Sequence, residues 1–140
     1  MPSRHKSREH ALQLLFQADI RRQQPDEAIA AYYDSLLLSG TGEERPTEDP
    51  FLEQLVRGTI QTMTTLDQAI AGHSEHWRLE RMPVVDRNIL RLAVYEMKTV
   101  GTPAPVVIDE ALELARRFSS DESVAFINGV LDAVKRASEV

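Results

Sequence analysis

The sequence predicts an all-α protein, an irregular bundle of about six or seven helices. Three observations carry this reading. Apolar side chains recur at three- and four-residue spacing along most of the chain, and no stretch alternates for long enough to make a convincing strand. Prolines and glycines punctuate the pattern at helix-length intervals. The 140 residues suit one compact domain, because a second independent core would leave each half small and marginal. A hydrophobic fraction of 42 % supports a core. No apolar run approaches a membrane span, and no apolar stretch follows the charged N-terminus as a secretory leader requires.

Taken in order, Ala11, Leu12, Leu15, Phe16 and Ala18 form the stripe of a first helix that follows a basic arm and runs to about Arg22. Pro25 and Asp26 restart a second helix, which carries Ile29, Tyr32, Tyr33, Leu36 and Leu37. Residues 39–50, SGTGEERPTEDP, hold two glycines, two prolines and four acids and no apolar side chain. They read as a loop dividing an N-terminal helical half, about 1–38, from a C-terminal half, 51–140. Phe51, Leu55, Val56, Ile60, Met63, Leu66 and Ile70 mark one long helix stopped by Gly72. From His73 to Pro83 the chain is polar apart from Trp77, Leu79 and Met82 and reads as a short helical turn or connection. Val85, Ile89, Leu92, Ala93 and Val94 define the next helix, which ends at Gly101 and the Thr102-Pro103-Ala104-Pro105 break. Pro105 suits the first turn of another helix, with Asp109 and Glu110 placed where the helix dipole favours negative charge. The last helix opens at Ser119-Ser120-Asp121-Glu122, in which Ser119 and Glu122 have capping-box spacing.

Chemistry is sparse. There are no cysteines, which removes disulfides and thiolate sites and is compatible with a reducing cytoplasm. No nucleophile elbow, P-loop, zinc-protease or dinucleotide-binding pattern is present, and an enzyme is not expected. His73 and His76 are three apart, but nothing specifies the further ligands a metal needs, so neither metal nor cofactor is expected. The net charge of −6 speaks at first against nucleic acid. Its distribution changes that. Residues 1–8 carry Arg4, Lys6 and Arg8 with no acid, while the remaining 13 basic residues face all 22 acids. A basic arm on an acidic body can meet a few phosphates but cannot wrap duplex DNA, where affinity follows the number of phosphates neutralised. Taken alone, the pattern fits a solvated terminus equally well.

The aromatics Phe16, Phe51, Trp77 and Phe118 read most simply as core or inter-helix contacts. Phe126 differs. Val124, Ile127, Leu131 and Val134 make the inward seam of the last helix, and at 100° per residue Phe126 points roughly 120° away from its centre. An aromatic displaced in this way suits either a stacked, unpaired base or cover by another helix.

Several segments resemble the NusB family and together span nearly the whole chain. Arg4-His5-Lys6-Ser7-Arg8-Glu9-His10-Ala11 and the leucines after it look like that family's Arg-rich arm and first helix. Phe51-Leu52-Glu53-Gln54-Leu55-Val56-Arg57-Gly58 resembles its third-helix entry. Val85-Asp86-Arg87-Asn88-Ile89-Leu90-Arg91-Leu92-Ala93-Val94-Tyr95-Glu96 is similar to its D-R-x-I-L-R-L-A-x-Y-E helix. Pro105-Val106-Val107-Ile108-Asp109-Glu110-Ala111 and Phe126-Ile127-Asn128-Gly129-Val130-Leu131-Asp132 match two further signatures. The arm departs from the all-Arg run common elsewhere: His5 is only partly charged near neutral pH, and Lys6 offers a point charge in place of a fork.

The resemblance implies two packed helical subdomains, no catalysis and no cofactor, in a cytoplasmic transcription antitermination factor. It implies binding of single-stranded boxA-type RNA from ribosomal RNA leaders jointly with a small-subunit ribosomal protein, NusE. Other Nus factors and RNA polymerase would complete the assembly. By resemblance Arg4, His5, Lys6 and Arg8 are phosphate contacts, Phe126 is a stacking platform, and Glu122 is an acceptor at the same RNA edge. Glu80 and Asp86 are the acids expected to face the ribosomal protein, or else ordinary solvated helix charges. Asn128 and Gly129 look structural. Two other readings stand beside this one. A helical protein–protein adaptor would leave the arm inert, and a homodimer would hide the arm and Phe126. A methyltransferase-associated module of the same fold would need room beyond Val140 for a cofactor-binding sheet.

Overall fold

The computed structural model describes residues 3–39, 48–73 and 78–138. Most of the 39–50 stretch, the side chains of Leu36 and Leu37, and the residues His76 and Trp77 lie outside the described residues. Those residues form seven α-helices and no strand, as the periodicity predicts. None of the helices is long and apolar enough to cross a membrane. The chain divides into two compact units, Met1–Gln61 and Thr62–Val140.

The first unit holds α1 (Arg4–Arg21), α2 (Pro25–Ser39) and α3 (Pro50–Gln61), each packed on the other two. α1 begins earlier than expected, because Ser3 is an N-cap whose hydroxyl accepts from the Lys6 amide at 3.2 Å. The basic residues are therefore the first turns of a helix instead of a separate arm. Arg22 takes the left-handed conformation (φ 54°, ψ 44°) and closes the helix. Asp49 caps α3 by accepting from the Leu52 amide at 3.1 Å. Leu12, Leu15, Ile29, Leu52, Leu55 and Val56 are buried. The division of the chain falls after α3, not in the acidic stretch, because α3 turns its apolar face to α1 and α2. The long helix expected across residues 51–70 is correspondingly interrupted at Thr62 (φ −109°, ψ 16°). The break falls in Thr62-Met63-Thr64-Thr65, where β-branched residues weaken helix propensity.

The second unit holds α4 (Met63–Ala71), a single 3₁₀ turn (Leu79–Arg81), α5 (Val84–Tyr95), α6 (Ala104–Phe118) and α7 (Asp121–Ser138). α5 is its axis: it packs on α4, α6 and α7, and every residue from Asn88 to Tyr95 is buried. A cation inside such a helix needs a partner. Arg91 has one in Asp67 of α4, which accepts from Nε at 2.7 Å and from Nη2 at 2.9 Å. α5 runs into one wide π-type turn, Glu96–Val100, and Gly101 ends it at φ +83°, a conformation that favours glycine. α6 starts at Ala104, so Asp109 and Glu110 fall in its second turn, and the first turn holds no acid. The cap of α7 is shifted by one residue from expectation: Ser120, not Ser119, accepts from the Ser123 amide, at 3.2 Å.

Thr59 of α3 is fully buried, and its hydroxyl has no hydrogen-bond partner among the described residues. A buried polar group left unpaired costs about 1–3 kcal/mol. Thr59→Val removes that group at nearly constant shape and is expected to raise unfolding free energy by about 1 kcal/mol in urea titration. A loss of stability would show that the hydroxyl is satisfied.

Candidate nucleic-acid interface

The basic residues of α1 are ordered by an aromatic and an acid. The Arg4 guanidinium lies 4.4 Å from the centre of the Phe51 ring and that of Arg8 lies 5.5 Å from it. Phe51 opens α3, so these cation–π contacts pin the start of one helix to the start of another. Arg4 remains exposed, whereas Arg8 is only 6 % exposed. Glu9, itself buried, sits between His5 Nε2 at 3.2 Å and Lys6 Nζ at 3.3 Å. Beneath them the Ser7 hydroxyl donates to the Asp49 carboxylate at 2.5 Å. Tyr33 joins the same corner: its hydroxyl accepts from the Asp49 amide at 3.0 Å and donates to Glu53 at 3.3 Å. Burial pushes the Tyr33 phenol above its ordinary pKa, as do the nearby Glu53 and Asp49 charges, against a lowering by the Asp49 amide. Of the four predicted phosphate contacts, Arg4 and Lys6 present exposed cations, His5 is half-buried, and Arg8 is mainly a strut.

Phe126 and Glu122 lie in the second unit on α7, and the structure places both on one cleft of about 300 Å³. Its walls are Arg81, Met82 and Pro83 before α5, Asp86 of α5, and Ser120, Glu122, Ser123 and Phe126. Phe126 is half-buried, consistent with its displacement from the inward seam, where Ile127, Leu131 and Val134 are buried. Glu122 is exposed. An aromatic face beside an exposed carboxylate can hold a flat heterocycle and accept from its amino group.

Asp86 differs from expectation. It is 3 % exposed, and its two oxygens accept from the hydroxyls of Ser119 at 2.5 Å and Ser123 at 2.6 Å. A carboxylate so enclosed holds α5 to the start of α7 and is not an acid presented to a basic partner. Glu80 is exposed on the 3₁₀ turn. Phe16, expected in the core, is 37 % exposed, because the inward face of α1 is filled by Ala11, Leu12, Leu14, Leu15 and Ala18. Phe51, as the seat of the arginines, was hidden from sequence reasoning, since no local spacing links residues 4 and 51. Ser123 left a faint signal as a serine three residues after another at a helix start.

Among the described residues, seven helices in two units, one with cations ordered over an aromatic and one with an aromatic-walled cleft, define a helical binding protein. The NusB family model matches residues 5–136. The transcription antitermination protein NusB of Solibacter usitatus (strain Ellin6076) is 60 % identical over 136 residues, which cover 97 % of this chain and 90 % of that protein. T. maritima NusB has a similar structure, with a TM-score of 0.79 and 30 % identity over 99 % of both chains. In a crystal structure of the antitermination factors NusB and NusE in complex with double-stranded RNA, a chain shares the fold. Its TM-score is 0.80 at 24 % identity, over 96 % of both chains. The chain belongs to the NusB family. This is a family of transcription antitermination factors, not of enzymes, and the all-α expectation agrees with its fold.

Removing the Asp86 carboxylate strips the acceptor from two hydroxyls, one of them buried. Asp86→Ala is expected to cost about 1–3 kcal/mol in chemical denaturation. A cost near zero would return Asp86 to the solvated acids.

Proposed function

We propose that this chain binds single-stranded boxA-type RNA of ribosomal RNA leaders jointly with a small-subunit ribosomal protein of the NusE kind. With RNA polymerase and other Nus factors it then acts in transcription antitermination in the cytoplasm. The observation that carries the RNA reading is the cleft that sets half-buried Phe126 beside exposed Glu122. Phe126 stacks a base, and Glu122 accepts from a base amino group. Arg4, Lys6 and His5 meet phosphates, while Arg8 acts mainly by holding Phe51 under Arg4. Glu80 is the acid offered to the basic ribosomal protein. The solved NusB–NusE complex with RNA supports both partner classes. A homodimer that covered the same residues would be an RNA-free state.

A protein–protein adaptor without RNA contact is the competing reading, and RNA binding separates the two. Affinity for cognate and scrambled boxA single strands, and for a duplex, is measured with and without the ribosomal protein. Tighter binding of cognate RNA alone when the protein is added is the expected result. Phe126→Ala should then cost about 1–3 kcal/mol of RNA binding with the fold intact by circular dichroism. Arg4→Ala should lower the slope of log affinity against log salt by about 0.7, the value for one phosphate on a single strand. If neither variant changes RNA affinity, the adaptor reading holds.

A further inference from the structure

The cleft beside Phe126 contains a cation that the reading above leaves without a role. Arg81 ends the turn Leu79–Arg81. Its backbone is fixed on both sides. Its amide donates to the Arg78 carbonyl at 2.9 Å, and the next residue, Met82, is 4 % exposed and donates to Leu79 at 3.2 Å. The Arg81 side chain is exposed, and it makes no hydrogen bond or ion pair among the described residues. It is also the one lysine or arginine among the residues lining this cleft.

A base laid on Phe126 carries its phosphate to the rim of the same cleft. The charged neighbours there are Glu122, which is exposed, and Asp86, whose oxygens are already occupied by serine hydroxyls. Both repel a phosphate, and only Arg81 offsets them. Its planar fork suits phosphate oxygens, and its anchored backbone lowers the entropy lost on binding. We propose that Arg81 is the phosphate anchor of the nucleotide whose base stacks on Phe126. The second unit then holds a complete nucleotide subsite of aromatic platform, base-edge acceptor and cation. This inference rests on the RNA reading.

The test is binding of a fluorescent boxA single strand to the full chain across a salt series, for wild type, Arg81→Gln, Arg81→Lys and Phe126→Ala. Arg81→Gln is expected to weaken binding and lower the salt slope by about 0.7, so a fourfold rise in salt costs this variant roughly 2.6-fold less affinity than wild type. Arg81→Lys should restore the slope. Thermal melting of Arg81→Gln should match wild type, since the side chain holds nothing in place. An unchanged slope in Arg81→Gln, with Phe126→Ala still weakening binding, overturns the anchor alone. If Phe126→Ala also has no effect, the RNA reading itself has failed. A loss of ribosomal-protein binding by Arg81→Gln in the absence of RNA assigns Arg81 to protein contact and overturns the proposal.

Discussion

A carboxylate taken out of water must have its oxygens occupied, and Asp86 meets that requirement with hydroxyls from more than thirty positions along the chain. Much in the second unit follows from it. Ser119 ends α6, and Ser123 lies in the first turn of α7, so one side chain at the start of α5 fixes where a helix stops and where the next begins. The Ser120 cap, one position away, can then bond the Ser123 amide. Phe126 follows Ser123 by three residues, nearly one helical turn, so fixing the serine sets Phe126 on the cleft that Met82 and Pro83 also line. Short hydrogen bonds thereby hold the cleft beside the apolar core that Ile89, Leu90, Ile127 and Leu131 fill.

The first unit solves a similar problem with different chemistry. Asp49 is 5 % exposed and divides its carboxylate between the Ser7 hydroxyl and the Leu52 amide, so it caps α3 while gripping α1. Arg4 and Arg8 over Phe51 tie the same two helix starts a second time. Both units thus place the start of a functional helix against a buried acid. In each, the groups that would meet a ligand sit within a few residues of that acid's partner. Precision of this kind matters for stacking and for phosphate contact, where a loosely held side chain loses entropy on binding.

The helices were largely legible because amphipathic periodicity is local: the stripe of α1, the proline starts of α2 and α6 and the glycine stop at Gly101 all lie within one element. The errors at helix ends are local. The cap at Ser3 that extends α1 and the shift from Ser119 to Ser120 are choices between neighbouring capping side chains, and the break at Thr62 falls in a β-branched stretch of an otherwise continuous apolar stripe. The sequence places Phe126 off its seam by rotation alone and leaves open whether another helix covers it; in the structure the residue is half-buried. Asp86 could not be read in this way. An acid in the first turn of a helix is ordinarily solvated, and only the tertiary fold brings two serines to it. Phe16 failed in the opposite sense, since its spacing matched the stripe while the smaller residues around it already filled the inward face.

The acidic balance of the chain bears directly on what its few cations can do. Arg8 and Arg91 are buried, and Arg57 pairs with Asp26 and Glu53. Arg116 and Arg136 pair with acids one helical turn away, and His5 and Lys6 share Glu9. Among the cations proposed to meet phosphate, Arg4 and Arg81 are exposed and have no acidic partner among the described residues. With so few phosphates to neutralise, the sequence-independent part of nucleic-acid affinity is small, and the acidic remainder repels polyanions further. On the proposed reading, binding energy must then come from stacking, from base-edge contacts and from the ribosomal partner. These are the contributions that distinguish one single strand from another. A more basic protein would bind RNA more tightly and select less. A net charge of −6 is therefore compatible with RNA recognition and favours a site that acts only when its partner is present.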